Sequence, residues 1–238
     1  MNEVSWTPWT PDYSGNGTLD QRKRVERLEK RLRDDGTQSF VLDAQKDRSS
    51  GCWDLSFFGR YTPDLFSDLT GVIALHNINI LYAEISTWED VSIANILIKT
   101  GPIQTIDPEA IWKKVMSDVQ NRLTGKLALA PRLNMKLIAS VRRRAEEILD
   151  DSRVVVDNAS SDLFTLIKIS ARDRLGLLYW ITQVLHDLRL VIRVARITTT
   201  AGRVEDVFYV HDAEGKKIEE REQVKEIKRA LLYQVSQT

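Results

Sequence analysis

A chain of 238 residues with 42% hydrophobic and 29% charged side chains can bury one or two compact cores, and 34 basic against 34 acidic residues leave no net field to draw in nucleic acid or an anionic bilayer. One cysteine, Cys52, excludes an internal disulfide and a cysteine-rich metal site and fits a reducing cytoplasm. No apolar run reaches membrane-spanning length and the first residues lack a basic-then-apolar leader, so the expectation is a cytoplasmic globular protein without a membrane partner.

Ser5 to Gly17 mixes Trp6, Pro8, Trp9, Pro11, Gly15 and Gly17 without a period, which predicts an irregular arm. From Thr18 or Asp20 to Arg33, Leu19, Val25, Leu28 and Leu32 draw a thin apolar stripe that predicts a short helix, stopped by Asp35-Gly36. Strands follow at Phe40 to Leu42 and Trp53 to Phe58, around a polar turn from Lys46 to Gly51. Leu65, Leu69, Val72 and Ile73 then recur at helical spacing, with Pro63 near the first turn, where its missing N–H costs nothing. Ile78, Ile80, Tyr82 and Ile85 belong to a strand, Ser92 to Lys99 to another, and Trp88-Glu-Asp90 is the turn signal between them. Asp107-Pro108 opens a helix with Ile111, Val115, Val119 and Leu123 on one face, ending at Gly125. Gly125 to Pro131 reads as an extended connector and Met135 to Leu149 as a linker helix, its Arg142-Arg-Arg144 run pairing with Glu146 and Glu147 on a solvated face.

The chain then repeats itself. Pro63 through Thr87 aligns without a gap on Leu175 through Thr199, so Leu65 matches Leu177 and Ala83 matches Ala195. The second copy runs Val154 to Asp157, Phe164 to Ser170, a helix from Leu177 to about Leu188, Val191 to Ile197, Val204 to Val210, and a helix carrying Val224, Ile227, Ala230 and Leu231. Strand, helix, strand, strand, helix suggests a split β-α-β unit, whose open sheet needs a fourth strand. No residues remain after the last helix to supply it, so the short strands at Phe40 and Val154 are the substitutes, and each copy is expected to be a permuted β-β-α-β-β-α unit.

Little in the chain suggests catalysis. His186-Asp187 and His211-Asp212 resemble metal-ligating pairs, but such a site needs a further His and a distant Asp from separate helices, and His76 is the only other imidazole. No Walker loop, no Gly-x-Gly-x-x-Gly after a strand and no Ser or Cys set beside a His is present, and Asp150-Asp151 reads as a solvated helix end. The expectation is no catalytic residue, no metal and no cofactor. Binding remains. In each copy the loop after the first long strand runs into a helix N-terminus, where free N–H groups favour an anion. The second copy spells it Arg172-Asp-Arg-Leu-Gly-Leu-Leu178: Gly176 permits close approach or a positive φ, and Asp173 could take an ammonium, which together suit an amino acid. Equally, Gly176 could serve only a tight turn and Asp173 only cap the helix.

Asp173-Arg-Leu-Gly-Leu-Leu, Ala195-Arg-Ile-Thr-Thr, Val204-Glu-Asp-Val-Phe-Tyr-Val210 and Asp212-Ala-Glu-Gly215 closely resemble the second ACT domain of bacterial PII uridylyltransferase/uridylyl-removing enzymes. Gly125 to Arg132 and Val155-Val-Asp-Asn158 are similar to the connecting region of that family, so the resemblance covers residue 40 to the end. It implies an α+β fold of two tandem ferredoxin-like (ACT) domains, each a four-stranded antiparallel sheet with two helices on one face. The expected boundaries are an N-terminal arm and short helix at 1–38, a first ACT domain at 39–124, a linker with helix at 125–152 and a second ACT domain at 153–238. It further implies a glutamine sensor controlling catalytic domains absent from this chain, with the PII protein or those domains as partners and no UMP transfer by this chain itself.

The copies depart from the family pattern in complementary ways. Where ACT loops usually carry Gly the first copy has Asp64, whereas its Asn79 stands where many ACT domains hold an amino acid with an amide and the second copy has Val191. A composite ligand site is therefore expected, with Asp173, Arg174, Gly176 and Leu177 from the loop of one copy and Asn79 and Ile80 from the strand of the other. The sheets could join within one chain or between chains, the latter making a homodimer. The competing class is a ligand-free interaction module that pairs strand edges or presents aromatics such as Tyr61 and Trp88 to a protein, or a stand-alone ACT regulator.

Overall fold

The computed structural model describes residues 18–35, 39–46, 51–88, 91–100, 108–141 and 151–236. The irregular arm, the turn tips after Lys46 and Trp88, the Arg142-Arg-Arg144 run and the end of the linker helix at Leu149 lie outside the described residues. In chain order the elements are α1 Thr18–Asp35, β1 Phe40–Lys46, β2 Trp53–Arg60, α2 Leu65–Leu75, β3 Ile78–Trp88, β4 Val91–Thr100, α3 Pro108–Leu123, α4 Leu129–Val141, β5 Arg153–Asp157, β6 Thr165–Arg172, α5 Leu177–Asp187, β7 Val191–Thr200, β8 Arg203–His211 and α6 Arg221–Val235.

All eight strands form one antiparallel sheet in the order β1-β2-β4-β3-β7-β8-β6-β5. The short leading strands β1 and β5 take the two outer edges, completing each copy as the permuted order requires. The inner edges β3 and β7 pair with each other, so the sheets join within the chain. Their register carries the repeat's symmetry: Ala83 faces Ile197, Ile85 faces Ala195, and Glu84 faces Arg196 at the centre. Equivalent residues thus exchange places across a pseudo-twofold axis, as in an isologous interface. An edge that would otherwise offer unpaired N–H and C=O groups is closed by the chain's own second copy.

Alternation along the strands sets the core. Leu55, Phe57, Ile96 and Ile98 from one copy and Ile167, Ile169, Phe208 and Val210 from the other are at most 1% exposed and lie in a single apolar cluster with α2, α3, α5 and α6. Each such side chain contributes about 1.5–3 kcal/mol relative to exposure. The opposite face of the first copy is covered by α1, whose Leu28 packs on Val41 and Phe58. Arg24 of α1 is 7% exposed and reaches the carboxylates of Asp43 and Asp54 at 3.0 and 3.1 Å.

One expectation needs correction. The extended connector and the helix from Met135 are replaced by α4, which begins at Leu129 and places Pro131 inside its first turn, where no intrahelical N–H bond is lost. Leu129 and Leu133, one turn apart on one face, are at most 1% exposed and pull the segment onto the core. Gly71 of α2 makes the close approach possible: a Cβ there would stand 2.6 Å from Leu129 Cδ2 and 2.6 Å from Tyr179 Cδ2.

Candidate functional site

Both copies bend at the same point. The β3/β4 ladder shifts register between Ile80 and Tyr82, and the β7/β8 ladder between the equivalent Ile192 and Val194. A bulge adds twist and redirects the strand end. The residues that share a cleft with the other copy's loop, Ile78 to Ile80 in one copy and Leu190 and Ile192 in the other, lie at this bend.

Two clefts result, one on each side of the β3/β7 seam. The first is lined by the second copy's loop, Asp173 to Leu178, and by Ile78, Asn79 and Ile80 of the first copy's β3, with Asp206 and Thr199 from β8 and β7. It encloses about 470 Å³, counting space continuous with solvent. The second swaps the roles: Tyr61, Thr62, Pro63, Leu65 and Phe66 of the first copy face Leu190 and Ile192 of the second copy, around about 550 Å³.

Asp173, Arg174, Gly176, Leu177, Asn79 and Ile80 all line the first cleft. Gly176 is left-handed, at φ 74° and ψ 9°, and is the residue from which α5 starts. No side chain caps that helix end, and the first-turn N–H groups of Leu178 and Tyr179 have no intrahelical acceptor. Leu177 is 2% exposed and anchors the turn in the core, with its N–H donating to the Arg174 carbonyl at 3.0 Å. Asp173 is held by its own N–H, which donates to the Gly202 carbonyl at 2.8 Å. Asn79 is exposed at the rim, and Ile80 is half-buried beside it.

The Arg174 side chain departs from a simple loop role. Its Nη2 donates to the Gln234 carbonyl at 2.7 Å, capping the last turn of α6, while its Nε is buried without a hydrogen-bond partner. Burial lowers its pKa. Trp180 Nε1 is a second buried donor without a partner, 3.9 Å from where a Cβ on Gly176 would stand. Of the two, Arg174 lines the cleft, on the side where the helix end already favours negative charge, and Trp180 does not.

The sequence reading passed over Asp206. It is 2% exposed, and burial, with Asp173 and Glu205 nearby adding to it, pushes its carboxyl up to about 8. Its Oδ1 accepts the Thr198 N–H at 3.3 Å. The β7/β8 pairing runs to Arg196↔Val207 and resumes at Thr199↔Val204, so the side chain serves a backbone group where the ladder is interrupted. A signal existed: Asp206 shares parity with Val204, Phe208 and Val210, all inward-facing and buried.

The histidines go to structure. His186 Nε2 lies 3.2 Å from Asp64 Oδ1 across the seam, His76 Nε2 lies 2.9 Å from Asp118 Oδ2, and His211 Nδ1 lies 2.6 Å from the Asp212 carbonyl. Among the described residues no group of three or more His, Cys, Asp or Glu could hold a metal. Asp151, expected only to be solvated, takes two 2.8 Å hydrogen bonds from Arg203. Among the same residues no helix is long and apolar enough to cross a membrane.

The model of the ACR9-like, ACT-like domain matches residues 153–238. The bifunctional uridylyltransferase/uridylyl-removing enzyme of Rhodospirillum rubrum is 36% identical over 181 residues, 74% of this chain and 19% of that protein. Its counterpart in Gluconobacter oxydans is 32% identical over 193 residues, 81% of this chain and 20% of that protein. That of Azospirillum brasilense is 30% identical over 222 residues, 91% of this chain and 23% of that protein. The chain thus spans about a fifth of the length of the curated relatives it matches.

Proposed function

This chain belongs with the bifunctional uridylyltransferase/uridylyl-removing enzymes over the fifth of their length that it spans, and from that premise we propose that it is a regulatory module that binds an amino acid, glutamine, at the cleft between its two copies. Uridylyl transfer and removal then fall to segments of those enzymes that this chain does not span, and the module acts on them, and through them on the PII protein, from the cytoplasm.

The observation that carries this reading is the meeting of the Gly176 turn from one copy with Asn79 and Ile80 from the other in one cleft. The uncapped end of α5, with the unpartnered Arg174 Nε on the same loop, supplies donors for the α-carboxylate. In this reading Asn79, exposed at the rim, receives the side-chain amide. Because the ligand touches both copies, occupancy stabilises one arrangement of the seam, which is how binding free energy becomes a signal.

Calorimetry with glutamine on the wild type, Asn79→Ala and Gly176→Asp tests the site: both variants should weaken binding, and undiminished binding in both rejects the shared pocket. A thermal-shift screen of the twenty amino acids should raise the melting temperature with glutamine. No shift with any of them would favour the ligand-free interaction module. Joined to its catalytic partners, the module should let glutamine change the ratio of PII uridylylation to deuridylylation, and an unchanged ratio would reject the regulatory role.

A further inference from the structure

Given the amino-acid cleft proposed above, on which this inference rests, we infer that Asp206 is the specificity residue of that cleft, receiving the ligand's α-ammonium and rejecting analogues that lack one. On the side of α5, the helix end and Arg174 Nε are donors. Asp173 and Asp206 are the carboxylates lining the cleft. The guanidinium of Arg174 donates to the Gln234 carbonyl at the end of α6. A cleft with donors on one wall and carboxylates on another is complementary to a zwitterion.

Of the two carboxylates Asp206 is the stronger candidate. Asp173 is half-buried in the loop and keeps contact with water. Asp206 is 2% exposed, and among the described residues its carboxylate accepts one long hydrogen bond, 3.3 Å from the Thr198 N–H to one oxygen. A buried carboxyl with so little compensation costs stability, and burial already biases it toward the neutral acid. An ammonium arriving beside it would supply the missing countercharge, so the cost is relieved by the correct ligand and not by a neutral one. The equivalent position in the other copy is Ala94, where the β3/β4 ladder pairs Ile85↔Ala94 without interruption. The carboxylate is therefore not required by the fold of the repeat.

The test pairs a ligand change with a residue change. Glutamine and glutaramate, which is glutamine without its α-ammonium, are titrated by calorimetry into the wild type and Asp206→Asn. The variant keeps an oxygen that can accept the Thr198 N–H, so folding is preserved and circular dichroism should be unchanged. The wild type should prefer glutamine by about 10- to 100-fold, the range of a hydrogen bond between charged groups, and the variant should bind the two ligands within about threefold of each other. Persistence of the full preference in Asp206→Asn overturns the inference while leaving the glutamine site intact. Failure of the wild type to bind glutamine at all removes the underlying reading, and this inference with it.

Discussion

At the second copy's cleft the chain enters its helix through Gly176, at φ 74°, with no side chain over the helix end; at the first copy's cleft it enters α2 through Asp64, at φ −91°, and the carboxylate of that residue pairs with His186 across the seam. The floors differ too, Asp206 standing where the other copy has Ala94, and so do the facing strands, Asn79 against Val191. The bulge falls at the same position in both copies. Duplication therefore supplied two related clefts, and the turn into the helix together with a few side chains separates them, the Asp64 carboxylate pairing with His186 at one and Asp206 lining the other. Specialisation of this kind has a cost in folding, because Asp206 is buried where the other copy has the core residue Ala94.

The largest effect should come from making the polar cleft resemble its twin at the helix entrance. Gly176→Asp has room for a Cβ, whose nearest neighbours would be 3.9 Å away, so the damage is conformational and electrostatic. A left-handed non-glycine residue costs about 1–2 kcal/mol, and a carboxylate at the helix end competes with the ligand's own. Glutamine affinity should fall at least about 100-fold, equivalent to about 2.7 kcal/mol, with a smaller loss in urea-melt stability. Affinity within threefold of the wild type would mean that the two entrances are interchangeable.

A second contrast lies at the α2 and α5 contact, where Gly71 corresponds to Gln183. Gln183 Nε2 donates to Ser67 Oγ at 2.7 Å, reaching across to α2, whereas Gly71 leaves space for Leu129 and Tyr179. Gly71→Ala should cost about 1–3 kcal/mol of unfolding free energy through overpacking, offset in small part by the better helix propensity of alanine. Urea melts would check it, and a stabilised variant would show that α4 can retreat freely.

These contrasts also mark how far the amino acids alone could be read. The repeat exposed both copies, and the short apolar runs at Phe40 and Val154, each just ahead of its copy, marked the strands that take the outer edges. The pairing of β3 with β7 was not readable, since a strand edge does not encode whether its partner lies in the same chain. The start of α4 was obscured by reading Pro131 as a break, although Leu129 and Leu133 already showed a helical repeat. Asp206 was hidden because one acid within Val204-Glu-Asp-Val-Phe-Tyr-Val210 reads as polar decoration until the parity of the strand is fixed by its neighbours.

Asp206 also separates the copies by pH. Its carboxyl, pushed up to about 8 when folded, sits near 3.9 when unfolded. The folded state therefore binds the proton more tightly: this contribution to stability is complete below about pH 4, is lost as pH rises toward about 8, and changes no further above that. Asp206→Asn has no such titration at this position. Relative to the wild type it should gain stability between pH 5 and 8.5, by roughly 1–3 kcal/mol if water entering on ionisation softens the full shift. Urea melts at the two pH values would measure the gain, and a constant difference would mean the carboxyl titrates normally.

The smallest effect is expected from the reverse transplant, Asp64→Gly. It removes the pairing with His186, whose side chains are 37% and 42% exposed, and a pair that open to water contributes at most about 1 kcal/mol. Melts should barely move. The informative reading is stoichiometry. If the helix entrance were all that separates the clefts, the variant would bind two glutamines per chain by calorimetry. With Ala94 still at the floor, no carboxylate lines that cleft to receive the ammonium, so the count should stay at one. A second site opened by this single change would show that the entrance, and not Asp206, decides which cleft is used.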